Sequence, residues 1–515
     1  MKASATRAIL ILLLASGVNG QQTSVSNSSE SQLVQAVQQL QKEVARLQDS
    51  VHQLRSESER YRAETQELER RLQAVSESKP LTAAASNEGT TPTSTEPDHQ
   101  QAPDSASARL AKLEDEYSLL TGKVDDQYQT KIESGSRYRV RLSALLMLNL
   151  FSNRGVPDSL DTPATAISSG TPYARGSFAG SLRQSQIGLE IFGPEWAGAK
   201  VSGDLRTDFA GGFPDTENGV TLGLMRLRTG NVRLEWSHTA LTAGQDAPMF
   251  SPLSPTSLIA LAEPEFAYAG NLWTWVPQVQ VQHWFNVGAA QRLSVAAGVL
   301  DPLTGETPRS QSYRTSQAGE ASRQPGYSAR IGWSSLKDED RPLSFSAGGY
   351  FSRQDWGFNR KVNGWAATAD WQIPLARRLA LKGELYRGKA LGGFGGGGGQ
   401  SILSSNTLGN PSAIVRGLDT EGGWAQAGLQ ASPTLQFNAG YGLDNPFSNE
   451  IRSFASSQYA LNPVLGRNAA TMTNVIYRPR SDLLFSLEYR HLMSSRLTSA
   501  KASVENIGMG IGLMF

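Results

Sequence analysis

The chain has 515 residues, 48 Lys and Arg against 47 Asp and Glu, and no cysteine. A formal charge of +1 excludes an overall electrostatic bias toward nucleic acid, so any charge selectivity must come from local placement. The polar composition, with 50 glycines, excludes a bundle of membrane helices, and no segment holds the ~18 uninterrupted apolar residues that such a helix needs.

Residues 1–20 have the layout of a secretory signal peptide. Lys2 and Arg7 supply the positive start, Ile9 to Ala15 a short apolar run, and the small Val18 and Gly20 lead to an expected cleavage before Gln21. The run is too short to span ~30 Å of hydrocarbon. Residues 30–78 then repeat every seven positions. Leu33, Leu40, Leu47, Leu54, Tyr61, Leu68 and Val75 mark one position; Val37, Val44, Val51, Ser58, Thr65 and Leu72 follow four residues after each of the first six. So narrow an apolar stripe buries little unless a copy of itself packs there, which predicts a self-associating coiled coil. Residues 79–107 hold Pro80, Pro92, Pro97 and Pro103 among Ser, Thr and Ala, have no apolar face, and read as a disordered linker. Leu110, Leu113, Tyr117, Leu120 and Val124 predict a short second coiled-coil helix over 108–127.

From residue 138 the period drops to two. Tyr327, Ala329, Ile331 and Trp333 alternate with Ser328, Arg330, Gly332 and Ser334, and such segments recur to Phe515. The fold class expected for 138–515 is an all-β transmembrane barrel of about 16 antiparallel strands, preceded by the α-helical coiled coil. The strands are expected to begin near 138, 183, 198, 222, 239, 276, 291, 325, 342, 362, 377, 421, 434, 467, 481 and 503. The fourth needs a bulge near Gly230–Asn231 to put Arg226, Arg228 and Arg233 on one face. Long connections (152–182, 210–221, 246–275, 301–324, 353–361, 390–420, 444–466 and 492–502) alternate with tight turns. That pattern suits long loops outside an outer membrane and short turns in the periplasm. Trp196, Trp236, Trp284, Phe285, Trp333, Trp371 and Tyr477 near the short turns, and Phe151, Phe209, Phe351, Trp424 and Tyr441 near the long loops, read as two interfacial girdles. The alternating apolar end Ile507, Met509, Ile511, Leu513, Phe515 resembles the signal by which such barrels are recognised for assembly.

The segment 183–246 carries a more specific likeness. Arg183-Gln184-Ser185-Gln186-Ile187-Gly188-Leu189-Glu190 leads into Gly193-Pro194, followed by Gly203-Asp204-Leu205-Arg206-Thr207-Asp208-Phe209, Met225-Arg226-Leu227-Arg228 and Gly244-Gln245-Asp246. This order resembles the DcaP-like trimeric outer-membrane porins and the related phosphate-selective porin O and P family. The resemblance implies a sixteen-stranded trimeric barrel that passes small anions, with an N-terminal coiled coil. The heptads alone point elsewhere, because Val at a with Leu at d favours two strands, although Ser58 and Thr65 loosen that preference.

No catalytic constellation stands out, and the expectation is no enzyme, no cofactor and no metal. His52, His99, His238, His283 and His491 lack metal-pair spacing. The run Gly392 to Gly399, broken by Phe394, lacks the strand-then-helix frame of a phosphate cradle and reads as a flexible outer loop. The inward phase carries charge instead. Arg139, Arg141, Lys200, Arg206, Arg226, Arg228, Arg233, Arg330, Lys382 and Arg490 face Glu190, Asp204, Asp208, Glu235, Glu384, Glu488 and Glu505, a small basic excess. Among the long connections, 246–275 alone is rich in apolar residues, including Phe250, Leu258, Ile259, Phe266, Leu272 and Trp273. Such side chains need a wall to pack on. The loop is therefore expected to fold into the barrel, with Thr256 capping a short helix over 257–262 and with Asp246, Glu263 and Glu265 opposite the arginines. A latch onto a neighbouring subunit is the alternative for this loop.

The function expected is a passive, water-filled channel for small anionic or neutral solutes with a weak anion preference, in an outer-membrane bilayer, self-associated as a homotrimer, with the coiled coil in the periplasm. The alternative is a structural protein that tethers the membrane to the cell wall through that coiled coil. No nucleic-acid partner is expected.

Overall fold

The computed structural model describes residues 131–132, 138–168, 175–213, 223–288, 290–306, 314–338, 341–454, 465–497 and 501–515. The expected signal peptide, coiled coil, linker and second helix lie outside the described residues.

Sixteen antiparallel strands close into a barrel. They are β1 Arg139–Arg154, β2 in two pieces (Gly176–Ser181 and Gln186–Phe192), β3 Lys200–Asp208, β4 Arg226–Glu235, β5 Thr239–Asp246, β6 Val276–Asn286, β7 Gln291–Leu300 and β8 Gly326–Ser335. The second half comprises β9 Ser344–Asp355, β10 Lys361–Ala376, β11 Leu379–Lys389, β12 Asp419–Ser432, β13 Leu435–Pro446, β14 Leu465–Tyr477, β15 Leu483–Arg496 and β16 Ala502–Met514. Each strand pairs with its neighbours in sequence, and β1 closes the ring against β16 from Leu145↔Met514 to Arg154↔Glu505. The ladder runs one step further, where Phe515 and Ala144 exchange both backbone hydrogen bonds, at 2.7 and 3.0 Å. The short piece Lys131–Ile132 pairs with Arg141 and Val140. Among the described residues, closure gives every barrel strand a neighbour on both sides, which a hydrocarbon environment demands.

The alternation expected from the sequence sets the faces. Leu146, Leu205, Val281, Ile331, Leu487 and Ile507 are exposed on the outside, while Asn149, Gln278, Thr368, Gln426, Asn474 and Glu488 are buried within. Apolar outside and polar inside is the arrangement of a barrel surrounded by lipid. Among the described residues no helix is long and apolar enough to cross a membrane.

Four expectations need correction. First, the connections at 356–360 and 497–501 are five residues long, because β9 and β15 run on to Asp355 and Arg496. Long and short therefore do not alternate strictly. Second, the bulge in β4 falls at Arg228: Arg206 pairs with Thr229 and Thr207 with Leu227, leaving Arg228 between them. Third, Phe151 and Trp424 belong to the inward phase with Asn149 and Gln426, and are buried inside the barrel. Fourth, the Gly392–Gly399 run is packed, with Phe394 fully buried among Phe250, Tyr350 and Leu272. Positive φ at Gly395, Gly397, Gly398 and Gly399 curls the backbone into a concavity. Its anion is this chain's own carboxylate, since Gly398 N–H donates to Asp444 Oδ2 at 2.9 Å and Thr420 Oγ1 to Asp444 Oδ1 at 2.7 Å.

Candidate functional site

The residues 247–275, between β5 and β6, cross the inside of the barrel and bond to strands around most of it. Near the start, Ser251 Oγ lies within hydrogen-bond distance of both the Glu384 carboxyl and Leu272 O, and Thr368 Oγ1 donates to Phe250 O. In the middle, Gln426 holds both backbone polar groups of Thr256, Nε2 donating to Thr256 O at 3.0 Å and Oε1 accepting its N–H at 2.8 Å. Lys382 Nζ donates to Ser254 O and Thr256 Oγ1 at 2.9 and 2.8 Å. Ser257 Oγ donates to Glu488 at 2.6 Å and accepts the N–H groups of Ile259 and Ala260. That turn replaces the helix expected over 257–262. The next N–H groups, of Leu261 and Ala262, are taken by Gln184 Oε1 at 2.6 and 3.0 Å, while Gln184 Nε2 donates to Ile259 O at 2.7 Å. Gln184 is fully buried in the break between the two pieces of β2.

Two apolar clusters inside the barrel complete the docking. Phe250 and Leu272 join Tyr350, Tyr386, Leu391 and Phe394, and Phe266 and Ala269 join Trp424, Met472 and Leu492. Burying each large apolar side chain contributes about 1.5–3 kcal/mol. The wall admits the loop because its inward positions there are glycines. A Cβ at Gly508 would lie 2.5 Å from Ile259 Cγ2, and one at Gly442 would lie 2.3 Å from Ala269 O.

The acidic residues of this loop are placed as follows. Glu265 is buried and ion-paired with Arg490 at 2.9 Å, and Arg490 also binds Glu488 at 2.7 Å. Glu263 lines a small space with Thr162, Pro163 and Arg490. Burial pushes the Glu263 carboxyl up to about 8, and Asp158 of the first outer loop adds to the rise. Burial raises Glu265 too, against the pull of Arg490. Asp246 Oδ1 accepts the Ala247 N–H, and Oδ2 accepts Asn231 Nδ2 at 3.1 Å.

Of the inward-phase arginines, Arg330 on β8 pairs with Asp370 and Arg490 lies on β15, while the others gather on β1 to β4. Arg141 and Arg206 share Glu190 at 3.3 and 3.9 Å. Arg226 grips both oxygens of Asp208, at 2.8 and 3.0 Å, and also donates to Ala262 O of the loop. Arg228 is left 3.7 Å from Asp208. Both guanidinium groups lie over Trp275, at 5.1 and 4.6 Å from the ring centre. Each pair of arginines thus has one acid between them. Arg233 is balanced by Glu235 at 2.8 Å, and Arg139 lies over the Phe192 ring at 5.8 Å. Lys382 stands apart on β11. A cavity of about 530 Å³ collects Glu190, Asp204, Arg206, Arg228, Arg233 and Asp246. The geometry therefore brings Asp246 together with the arginines, and sets Glu265 against Arg490 on β15.

Gln184, Asp208 and Trp275 were not singled out as site residues from the sequence. Asp208 was marked by its place among the inward-phase acids, and the order of the 183–209 motif was the only signal for Gln184. Trp275 carried none.

No protein-family model matches the sequence, and no curated protein does. Solved structures do resemble the fold. The outer-membrane channel DcaP of Acinetobacter baumannii is 16% identical, with 75% of this chain and 100% of that chain covered and a TM-score of 0.54. The anion-selective porin from Comamonas acidovorans is 10% identical over 73% and 100% of the chains with a TM-score of 0.46. OmpT of Vibrio cholerae is 11% identical over 75% and 100% with a TM-score of 0.43. The barrel is therefore of the DcaP-like porin fold, which agrees with the resemblance read from 183–246.

Proposed function

We propose that this chain is an outer-membrane porin, a passive water-filled channel for small hydrophilic solutes, exported behind the signal peptide of residues 1–20 and assembled as a homotrimer through the coiled coil of 30–78. The observation that carries the reading is the inverted barrel: an apolar exterior around an interior that retains a charged cavity of about 530 Å³. Solvated charges facing an interior space suit passage of polar solutes and serve no purpose in a solid core. The docked loop 247–275 narrows that passage. On the proposed function, selectivity is weakly anionic, because Arg141 with Arg206, and Arg226 with Arg228, each outnumber the acid they share. The second reading, a tether of the membrane to the cell wall, rests on the heptads of 30–78 and does not compete with conduction.

The test is the reversal potential of the purified protein in a planar bilayer across a salt gradient. At about 0.1 M salt, where the screening length is about 10 Å, anion selectivity is expected, fading toward 1 M and reduced by Arg226→Ala with Arg228→Ala. Cation selectivity at low salt overturns the anion preference, and absence of any conductance overturns the porin reading.

A further inference from the structure

The cavity between β2, β3, β4 and β5 holds underpaired charge of both signs. On the basic side, the Arg226 fork takes both Asp208 oxygens, and Arg228 Nη1 is buried without a hydrogen-bond partner. Arg206, further along the same cavity, has only a loose 3.9 Å approach to Glu190, which Arg141 already holds more closely at 3.3 Å. On the acidic side, Asp204 and Asp246 share a single amide donor, Asn231 Nδ2, at 3.4 and 3.1 Å. Among the described residues neither carboxylate has a cation within 4 Å. The two sets line one cavity and yet do not neutralise one another.

Such an arrangement is unfavourable when closed and favourable when occupied. A bound anion would give Arg228 and Arg206 the acceptors they lack. A bound ammonium would give Asp204 and Asp246 a cation, where they have only the divided Asn231 amide and, for Asp246, the Ala247 N–H. A solute with one charge satisfies half of the site and leaves the other half desolvated beside it. A solute with both charges satisfies both halves. The spacing sets the size. Asp204 and Arg206 are two residues apart on the same face of β3, about 6.7 Å in an antiparallel strand. Two residues of extended peptide span about 7 Å.

We propose that this cavity is a binding subsite for small zwitterions of the short-peptide class, with Asp204 and Asp246 receiving the ammonium and Arg206 and Arg228 the carboxylate. The proposal rests on the porin reading, since it places the subsite in the solute path. It assigns the lumen a preference by charge pairing that is distinct from a general attraction for anions.

The experiment uses the full chain in a planar bilayer at about 0.1 M salt and compares three probes near neutral pH: glycylglycine, its anion-only relative N-acetylglycine, and the cation glycinamide. Glycylglycine is expected to interrupt the ion current at a concentration at least about tenfold below either single-charge probe, the factor that ~1.4 kcal/mol gives. Asp204→Asn with Asp246→Asn keeps the shapes and removes the charges. It should raise the glycylglycine concentration by about the same factor and leave the N-acetylglycine concentration the same or lower. Equal block by glycylglycine and N-acetylglycine overturns the proposal, as does a double variant that blocks like the parent chain. The wild-type comparison needs no variant to fold. Calorimetric titration of the detergent-solubilised protein with the same probes separates the two readings. A silent bilayer with glycylglycine preferred in solution refutes the pore and keeps the subsite; a conducting bilayer without that preference refutes the subsite alone.

Discussion

The docking of residues 247–275 predicts what one methyl group placed beneath them should do. Gly442 lies on the inward face of β13, paired with Trp424 on one side and Ala470 on the other. A Cβ there would stand 2.3 Å from Ala269 O and 2.7 Å from Phe266 Cγ, well inside van der Waals contact. Gly442 is not among the residues with positive φ, so alanine suits the strand, and the conflict lies wholly with the loop. Overpacking of this kind costs about 1–3 kcal/mol. Applied to the docked loop, it shifts the docked-to-released ratio by about 5- to 150-fold. Gly442→Ala is therefore expected to add a longer-lived, higher-conductance level to single-channel recordings, while circular dichroism and unheated gel mobility keep the signature of an intact barrel. Gly349→Ala is the control, since a Cβ there meets nothing nearer than Ala366 O at 3.9 Å. Recordings of Gly442→Ala that match the parent, with the barrel intact, refute the argument that this contact holds the loop in the lumen.

Other outcomes follow from the same contacts. Arg490→Leu strands Glu265 and Glu488 without their shared cation, a loss of about 3–5 kcal/mol for a buried pair. It should lower the temperature at which gel mobility shifts, and Glu265→Gln with Glu488→Gln should restore most of the loss; no change in the parent substitution would count against the buried pairing. Glu263 favours its protonated form in the docked loop, so its contribution is fully present below the ordinary carboxylate range and is lost as pH rises through about 8. Conductance is accordingly expected to rise between mildly acidic and mildly alkaline pH, with Glu263→Gln flattening the profile, and a fall over that range would contradict the sign. Asp444→Ala removes the acceptor of Gly398 N–H and Thr420 Oγ1. Limited proteolysis should then cut within 390–418, where the parent chain resists.

Much of the barrel was legible because period-two alternation is a local property. Each strand start fell within a few residues of its expected place, apart from the outer piece of β2, which begins at Gly176. The need for a phase flip in β4 was visible in the spacing of Arg226, Arg228 and Arg233, although the extra residue proved to be Arg228. Loop 247–275 was marked by apolar residues that water would not tolerate. Partnerships across the lumen were not legible. That Arg490 meets Glu265, and that Arg226 takes both oxygens of Asp208 at the expense of Arg228, depends on which parts of a closed ring come together. The glycine run misled for a related reason. Its composition permits disorder, and distant partners, among them Asp444, Thr274 and the cluster around Phe394, give it a place to pack. One overlooked signal was local: Gly440 and Gly442 on β13, and Gly508 and Gly510 on β16, recur on the inward phase where Phe266, Ala269 and Ile259 of the loop come close.

On the proposed function, the barrel is an aqueous passage narrowed by residues 247–275. That reading is tested most directly by single-channel conductance of the purified full chain beside a variant lacking residues 256–265. Discrete conductance steps are expected from the parent chain, and larger steps from the variant at the same salt concentration. A silent parent chain, or identical steps from the two proteins, would contradict it.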